Sequence, residues 1–149
     1  MSDLNNIEEL ELSNNGISNI TPLRGLKKLK RLHLFNDELT NKNEIIDISS
    51  LADLKELTEL NLFNNQIVNI TPINDLKSLK ILNLGRNKIE KIDAVKNLDQ
   101  LTELYLDNNK LKDIKVLKSH KNLKKLRVFG NQITDFSPVK DISSIDIEY

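Results

Sequence analysis

The sequence contains no cysteine and no tryptophan, and only 4% of its residues are aromatic. Without cysteine the chain cannot form a disulfide framework or a thiolate metal site, which fits a reducing compartment without requiring one. It has only two histidines, His33 and His120, and they are far apart in the sequence. Catalytic triads and metal sites therefore have few candidate residues. We expect no cofactor, no metal site and no enzymatic activity, although the many carboxylates leave an acid–base pair open.

An excess of charge of either sign is also missing. The chain has 22 basic and 22 acidic residues, so its formal net charge is zero. A strongly basic balance would favour nucleic acid or an anionic membrane, and we expect neither as a partner. The start, MSDLNNIEEL, is too acidic and polar for a secretory signal. We expect a cytoplasmic location for a complete chain, and an extracellular or surface location for a chain from which a signal peptide was removed.

A repeat runs through the whole sequence. Six lines follow the pattern L-x-x-L-x-L-x-x-N-x-I-x-x-I-x-x-L-x-x-L-x-x, with a spacing of 22 residues and one step of 28. They begin at Ile7, Leu29, Leu57, Leu79, Leu101 and Leu123. The alternation around the leucines at positions 4 and 6 predicts a strand with these leucines inward and positions 3, 5 and 7 outward. One repeat has too little core alone, so neighbouring repeats are expected to stack.

Position 9 predicts an asparagine ladder where the chain leaves each strand. An asparagine amide both donates and accepts, so it can satisfy the backbone groups of a turning chain. The residues at this position are Asn15, Asp37, Asn65, Asn87, Asn109 and Asn131.

The prolines predict short helical turns on the opposite side. All three prolines stand at position 16, in Thr21-Pro22, Thr71-Pro72 and Ser137-Pro138. A hydroxyl residue followed by proline is typical of an N-cap and the first helical residue.

These motifs resemble the leucine-rich repeat family in its 22-residue form. The stretch NQIVNITPINDLKSLKILNL is similar to repeats of bacterial internalin-like proteins and of the protein phosphatase one regulatory subunit. The resemblance implies an α/β solenoid, a horseshoe with a parallel sheet on its concave face and short 3-10 or helical turns on its convex side. We expect one domain over residues 1–149, ending in a partial seventh strand within SIDIEY.

Three departures from the repeat have interpretations of their own. The second line has six additional residues, which we place within about 40–47 and interpret as surface decoration, with partner contact as the alternative. His120 occupies a leucine position and is interpreted as a hydrogen-bonded, partly buried side chain. The two Asn-Ile-Thr matches to the glycosylation pattern, at Asn19 and Asn69, are attributed to the repeat's own turn.

Outward strand positions hold most of the aromatic residues, although the chain has few. Position 7 holds three of the four phenylalanines, and one of the two tyrosines is at position 5. Aromatic and arginine side chains on a rigid surface are typical anchors of protein interfaces. The expected partner-binding residues are Phe35, Phe63, Tyr105, Phe129, His33, Arg31, Asn61, Glu103, Lys125 and Arg127. The alternative is that Phe35 and Phe63 stack on each other and protect the sheet.

The sequence thus favours a non-enzymatic protein-binding module that recognises a protein partner with its concave sheet. The family resemblance allows an internalin-like adhesion or effector protein, or an intracellular scaffold. The alternatives are a regulatory subunit of an enzyme such as a protein phosphatase, and a structural repeat segment with no dedicated ligand.

Overall fold

The computed structural model of the protein describes residues 3–37, 40–142 and 145–149. In this part of the chain, seven short parallel strands form one open sheet, in their order along the sequence. The strands are β1 (Glu9–Glu11), β2 (Arg31–His33), β3 (Glu59–Asn61), β4 (Ile81–Asn83), β5 (Glu103–Tyr105), β6 (Lys125–Arg127) and β7 (Asp146–Glu148). Paired residues occupy the same repeat position, as Leu32 and Leu60 do. The expected solenoid sheet is confirmed.

Short 3-10 helices lie between the strands, as the prolines predicted. They span Asp3–Asn6, Thr21–Gly25, Ser49–Leu51, Thr71–Ile73, Asp93–Val95, Lys115–Ser119 and Ser137–Val139. Neighbouring 3-10 helices pack along the stack just as neighbouring strands do. No helix in the described ranges has the length and apolar character that a membrane span requires.

The core lies between the strands and the 3-10 helices. Four side chains of one repeat are 0% exposed: Leu60 in β3, Leu62 just after it, and Ile67 and Ile73 in the segment between β3 and β4. Each such side chain stabilises the fold by about 1.5–3 kcal/mol relative to an exposed one. Leu10 in β1 is only partly buried, because an edge strand has a neighbour on one side only.

The asparagine ladder is confirmed in the third to sixth repeats, whereas Asn15 in the first repeat is exposed and its amide donates to Ser13 O at 2.8 Å. The Asn87 Oδ1 accepts the Ile67 N–H at 3.0 Å, and its Nδ2 donates to the carbonyls of Leu62 and Leu84, both at 3.0 Å. Asn65, Asn109 and Asn131 repeat this arrangement. Each amide thus satisfies backbone groups of two successive repeats.

In the second repeat the ladder residue is Asn43, so the assignment of Asp37 is wrong. The Asn43 Oδ1 accepts the Ile17 N–H at 2.8 Å, and its Nδ2 donates to Leu12 O at 2.9 Å and Leu34 O at 3.2 Å. A carboxylate has no donor for those carbonyls. Asp37 is instead exposed and accepts a hydrogen bond from Asn14.

This register puts the six additional residues between Asn36 and Asn43, earlier than the range of about 40–47 expected from the sequence. Asn36, which precedes the additional residues, is fully buried and forms hydrogen bonds to Asn43, which follows them. Its Oδ1 accepts the Asn43 N–H at 2.6 Å, while its Nδ2 donates to Asn43 O and Asn64 O.

The capping residue of the 3-10 helices also differs from the prediction. Thr21, Thr71 and Ser137 are the first residues of their helices rather than caps. Their backbone N–H groups donate instead to the side chains two residues earlier, those of Asn19, Asn69 and Asp135, at 2.9 Å. The Asn-Ile-Thr sequences therefore have a structural role in starting the turn.

His120 is buried at 1% exposure, and its Nε2 lies 2.9 Å from the carbonyl of Val95. Its Nδ1 has no partner among the described residues. Those residues also contain no group of three or more His, Cys, Asp or Glu side chains arranged for a metal ion.

Candidate binding surface on the open face of the sheet

Side chains at repeat positions 3, 5 and 7 form the face of the sheet that points away from the core. We call it the open face. In β3 to β6 the middle residue of each strand is buried and its two neighbours are half-buried. The period of two therefore separates a leucine core from a variable surface, as the sequence predicted.

The four predicted aromatic residues, Phe35, Phe63, Tyr105 and Phe129, are half-buried on this face; we call them the aromatic surface. Two other residues at position 7 are not displayed there, contrary to the simple alternation. Gly85 is buried, and Asp107 is 2% exposed. Position 7 lies two residues beyond the end of the strand, so the direction of its side chain depends on the local turn as well as on the strand period.

The ring of Phe63 occupies the space over the next repeat. A Cβ on Gly85 would lie 3.0 Å from Phe63 Cδ2 and 2.8 Å from Asp107 Oδ1, so only glycine fits beneath the ring. The Arg86 guanidinium of the same neighbouring repeat lies 5.5 Å from the ring centroid, within cation–π distance. Phe63 is thus half-buried against Gly85 and Arg86 of the next repeat rather than free in solvent.

Another cluster of aromatic side chains surrounds Arg127. Its guanidinium carbon lies 5.8 Å from the Tyr105 ring centroid and 5.1 Å from that of Phe129. Lys125 lies 5.7 Å from the Tyr105 ring. The Tyr105 hydroxyl donates to Glu103 at 2.5 Å. Burial and then this hydrogen bond raise the pKa of Tyr105 to about 12.

Arg127 also lies beside two carboxylates. Its Nε is 3.1 Å from Glu148 Oε2, without hydrogen-bond geometry, and 3.8 Å from Asp107 Oδ1. The Asp107 Oδ1 receives no hydrogen bond from the described residues, although its Oδ2 accepts one from Asn108 at 3.1 Å. Arg127 therefore balances a buried carboxylate while it contacts two rings.

At the other end of the sheet, His33 connects three strands. Its Nδ1 lies 3.0 Å from Glu11 Oε2 and its Nε2 lies 2.9 Å from Glu59 Oε1. Both contacts are hydrogen bonds only when both ring nitrogens bear a proton. Burial raises the pKa of the Glu11 carboxyl, but hydrogen bonds from Ser13 and His33 outweigh it, so this pKa lies below its ordinary value. Arg31 pairs with Glu9 beside this bridge.

Uncharged amides occupy repeat position 5 of the two central strands, β3 and β4. Asn61 and Asn83 are register partners in β3 and β4. The Asn61 Oδ1 accepts the Phe63 N–H, and the Asn83 Oδ1 accepts the Gly85 N–H, both at 3.1 Å. Both amides therefore have a fixed orientation.

Eight of the ten predicted residues lie in two groups, and Asn61 and Phe63 lie between these groups at β3. Arg31, His33 and Phe35 lie near one end, where the His33 and Phe35 ring centroids are 6.2 Å apart. Glu103, Tyr105, Lys125, Arg127 and Phe129 form the other group. The ring contacts of the described residues do not include a Phe35–Phe63 stack.

Sequence reasoning missed Arg86 and Asn83. Arg86 has φ +52° at position 8, where Asn14, Asn64 and Asn108 also have positive φ. Asparagine adopts this backbone conformation more readily than other non-glycine residues, so an arginine there was a usable signal. Asn83 could have been found because it stands at the same repeat position as Asn61.

Comparison with known proteins identifies the family. The family model for leucine-rich repeats in two copies matches residues 5–53, 55–97, 77–119 and 99–144. The chain belongs to the leucine-rich repeat family, and its repeats are internalin-like. A search of curated proteins gives no match to the chain.

Solved structures agree with this assignment. The chain is 38% identical to internalin C2 of Listeria monocytogenes, with a TM-score of 0.86, over 95% of this chain and 60% of that one. It is 34% identical to the internalin inlF of the same species, with a TM-score of 0.80, over 99% of this chain and 48% of that one. The ectodomain of the Arabidopsis thaliana receptor kinase GASSHO1/SCHENGEN3, solved with CASPARIAN STRIP INTEGRITY FACTOR 2, is 25% identical, with a TM-score of 0.82, over 97% of this chain and 18% of that one.

Proposed function

We propose that the chain is a non-enzymatic protein-binding module, internalin-like in its repeats, that recognises a protein partner with the open face of its sheet. The observation that supports this most is the placement of the aromatic surface. Four rings in an aromatic-poor chain lie on one face, half-buried and next to arginine or histidine side chains.

The rigidity of this face supports the same proposal. Each ring lies beside a neighbouring side chain, as Phe63 does beside Arg86 and Phe129 does beside Arg127. A surface that is already ordered loses little conformational entropy when a partner binds. Half-buried aromatic and arginine side chains are also the residue types that dominate binding energy in protein interfaces.

Charged residues around the rings would determine which partner is accepted. Arg31, His33 and Glu59 at one end and Glu103, Lys125 and Arg127 at the other present both signs of charge. Complementary charge affects specificity and association rate more than affinity. An internalin-like adhesion or effector role and an intracellular scaffold role both fit this description, and so does a regulatory subunit of an enzyme such as a protein phosphatase.

A pull-down with matched variants tests the proposal. Replacing Phe35 and Phe63 by serine should abolish partner capture from a lysate of the source organism while circular dichroism stays unchanged. The control replaces Ile46 and Val68 by serine, because these apolar residues are 60% and 52% exposed and lie outside the strands. A protein captured equally by both variants would count against the aromatic surface as the binding site, whereas the structural repeat segment would be favoured if even the unaltered chain captured no protein.

A further inference from the structure

The central amides of the open face have donors that the fold does not use. The Oδ1 atoms of Asn61 and Asn83 accept the backbone N–H groups of Phe63 and Gly85. Their Nδ2 groups have no acceptor among the described residues, and both side chains are half-buried. Because each oxygen is held in place, each NH2 group keeps one orientation, toward the open face.

This pair differs from the other residues at the same repeat position. Glu11 and His33 are bonded to each other in β1 and β2, and Tyr105 and Arg127 take part in the aromatic cluster of β5 and β6. Only β3 and β4, among the described strands, present an amide at this position. The two adjacent donors therefore form a distinct subsite, which we call the amide pair.

The charges around the amide pair favour a neutral acceptor over an anion. Ile81 lies beside it at position 3, with Glu59 and Glu103 as its register partners on the two neighbouring strands. Two carboxylates would repel a carboxylate or phosphate of a partner. A backbone carbonyl is a strong hydrogen-bond acceptor and has no net charge. It can therefore accept from the Nδ2 groups without being repelled by the two glutamates.

The spacing fits carbonyls of an extended chain that crosses the strands. Neighbouring strands lie about 4.8 Å apart, and alternate residues of an extended chain repeat every ~6.6 Å. If the difference between these two spacings is divided equally between the two hydrogen bonds, each carbonyl oxygen is displaced by about 0.9 Å from its ideal position. The displacement tilts each hydrogen bond by less than about 20°, so the geometry remains good. Phe63 and Ile81 provide apolar contacts on either side of such a chain.

We infer that the amide pair is a peptide-binding subsite, at which Asn61 and Asn83 donate to two backbone carbonyls of an extended segment of the protein partner. This inference rests on the proposed function of the open face and names the form of the partner recognised there. It adds a determinant, Asn83, that the aromatic surface does not contain.

The test uses peptides selected from a phage-displayed library of unstructured decapeptides on the whole chain. Affinity is then measured by calorimetry for two double variants. N61D/N83D keeps the oxygens that accept the Phe63 and Gly85 N–H groups but removes both donors. N19D/N69D makes the same chemical change at two exposed capping asparagines, which likewise keep an oxygen for Thr21 and Thr71.

We expect N61D/N83D to weaken peptide binding by about tenfold or more, the effect of losing two ordinary hydrogen bonds, while N19D/N69D stays within about twofold. Replacing single peptide carbonyls by thioamides, which are weaker acceptors, should lower the affinity at two alternate positions. Equal affinities of both double variants would overturn the inference, as would a library that yields no binder.

These outcomes separate the inference from the proposed function. If F35S/F63S loses the partner but N61D/N83D does not, the open face binds and the amide pair is not its peptide subsite. If F35S/F63S keeps the partner, the proposed function fails, whatever the peptides show.

Discussion

Asn43 shows how much of the turn depends on a single side chain. Its amide accepts from Ile17 N–H and donates to the carbonyls of Leu12 and Leu34. These groups are buried or half-buried, so water cannot replace the lost contacts without cost. The residue at the expected place in the sequence, Asp37, lies outside on the surface.

Replacing Asn43 by alanine should therefore lower the free energy of unfolding by at least about 2 kcal/mol, since several backbone groups lose their partner. Replacing Asp37 by alanine should change it by less than about 1 kcal/mol, as expected for an exposed residue. Urea denaturation of both variants measures the difference. A larger loss for D37A than for N43A would restore the register expected from the sequence.

The titration of Tyr105 tests the aromatic cluster at the same scale. The absorbance change at high pH, taken as the difference between the chain and its Y105F variant, should have its midpoint near the pKa of about 12, above the ordinary 10.0. In E103Q the midpoint should fall toward the ordinary value but not reach it, because burial, the largest cause, remains.

The sign of the effect on stability follows from the raised pKa. Between pH 10.0 and about 12 the unfolded chain loses this proton while the folded chain keeps it, so stability should decrease as pH rises through that window. Y105F should lack this contribution. A midpoint for Tyr105 at its ordinary value would contradict the hydrogen bond to Glu103.

At the scale of the elements, the strand exits of the regular repeats require an unusual backbone conformation. Asn14, Asn64, Arg86, Asn108 and Gly130 all have positive φ at the same repeat position. The left-handed turn redirects the chain so that the ladder asparagine points inward. This requirement accounts for Asn14, Asn64 and Asn108, because asparagine adopts positive φ more readily than other non-glycine residues.

Two glycines provide a matched test of this geometry. Gly16 and Gly130 both have φ +68°, but a Cβ on Gly16 would have open space, whereas one on Gly130 would lie 2.5 Å from Asn108 Oδ1 and 3.2 Å from Asn108 Cα. G16A should lower the free energy of unfolding by about 1–2 kcal/mol through backbone strain alone. G130A should cost clearly more, because backbone atoms must also move. Thermal denaturation with equal losses for both variants would contradict the close approach at Gly130.

The sequence predicted the elements well because their signals are periodic. Leu60 and Leu62 had to point inward from a strand, and Thr71-Pro72 had to begin a turn. The prediction from sequence failed at the ladder position of the second repeat, where two nearby polar residues could both occupy that position. Asn43 could not be distinguished from Asp37 by spacing alone, because the additional residues could stand on either side of the ladder position.

The candidate site was predictable only in part, for a different reason. The period of two placed Phe63 and Asn61 on the open face, but it could not tell that Phe63 leans over Gly85 or that Asp107 is buried. Those facts depend on side-chain size in the next repeat. Likewise, the orientation of the Asn61 amide depends on the Phe63 N–H that its oxygen accepts.

At the scale of the whole molecule, the fold is a one-dimensional stack. Each strand pairs with the strands of adjacent repeats, so stability is expected to accumulate from repeat to repeat. The same stacking places one side chain per repeat in each row of the open face. The binding surface is therefore a direct consequence of the repeat, and its specificity depends on what varies at positions 3, 5 and 7.

The claim that the open face binds a partner is tested most directly by a footprint on the chain itself. Aromatic ring signals of Phe35, Phe63 and Phe129, and methyl signals of Ile46 and Val68, are recorded by NMR before and after a captured partner is added. We predict that the ring signals shift or broaden while the methyl signals of the two exposed aliphatic residues stay in place. Unchanged rings together with shifted Ile46 and Val68 methyls would contradict the account and place the interface outside the strands.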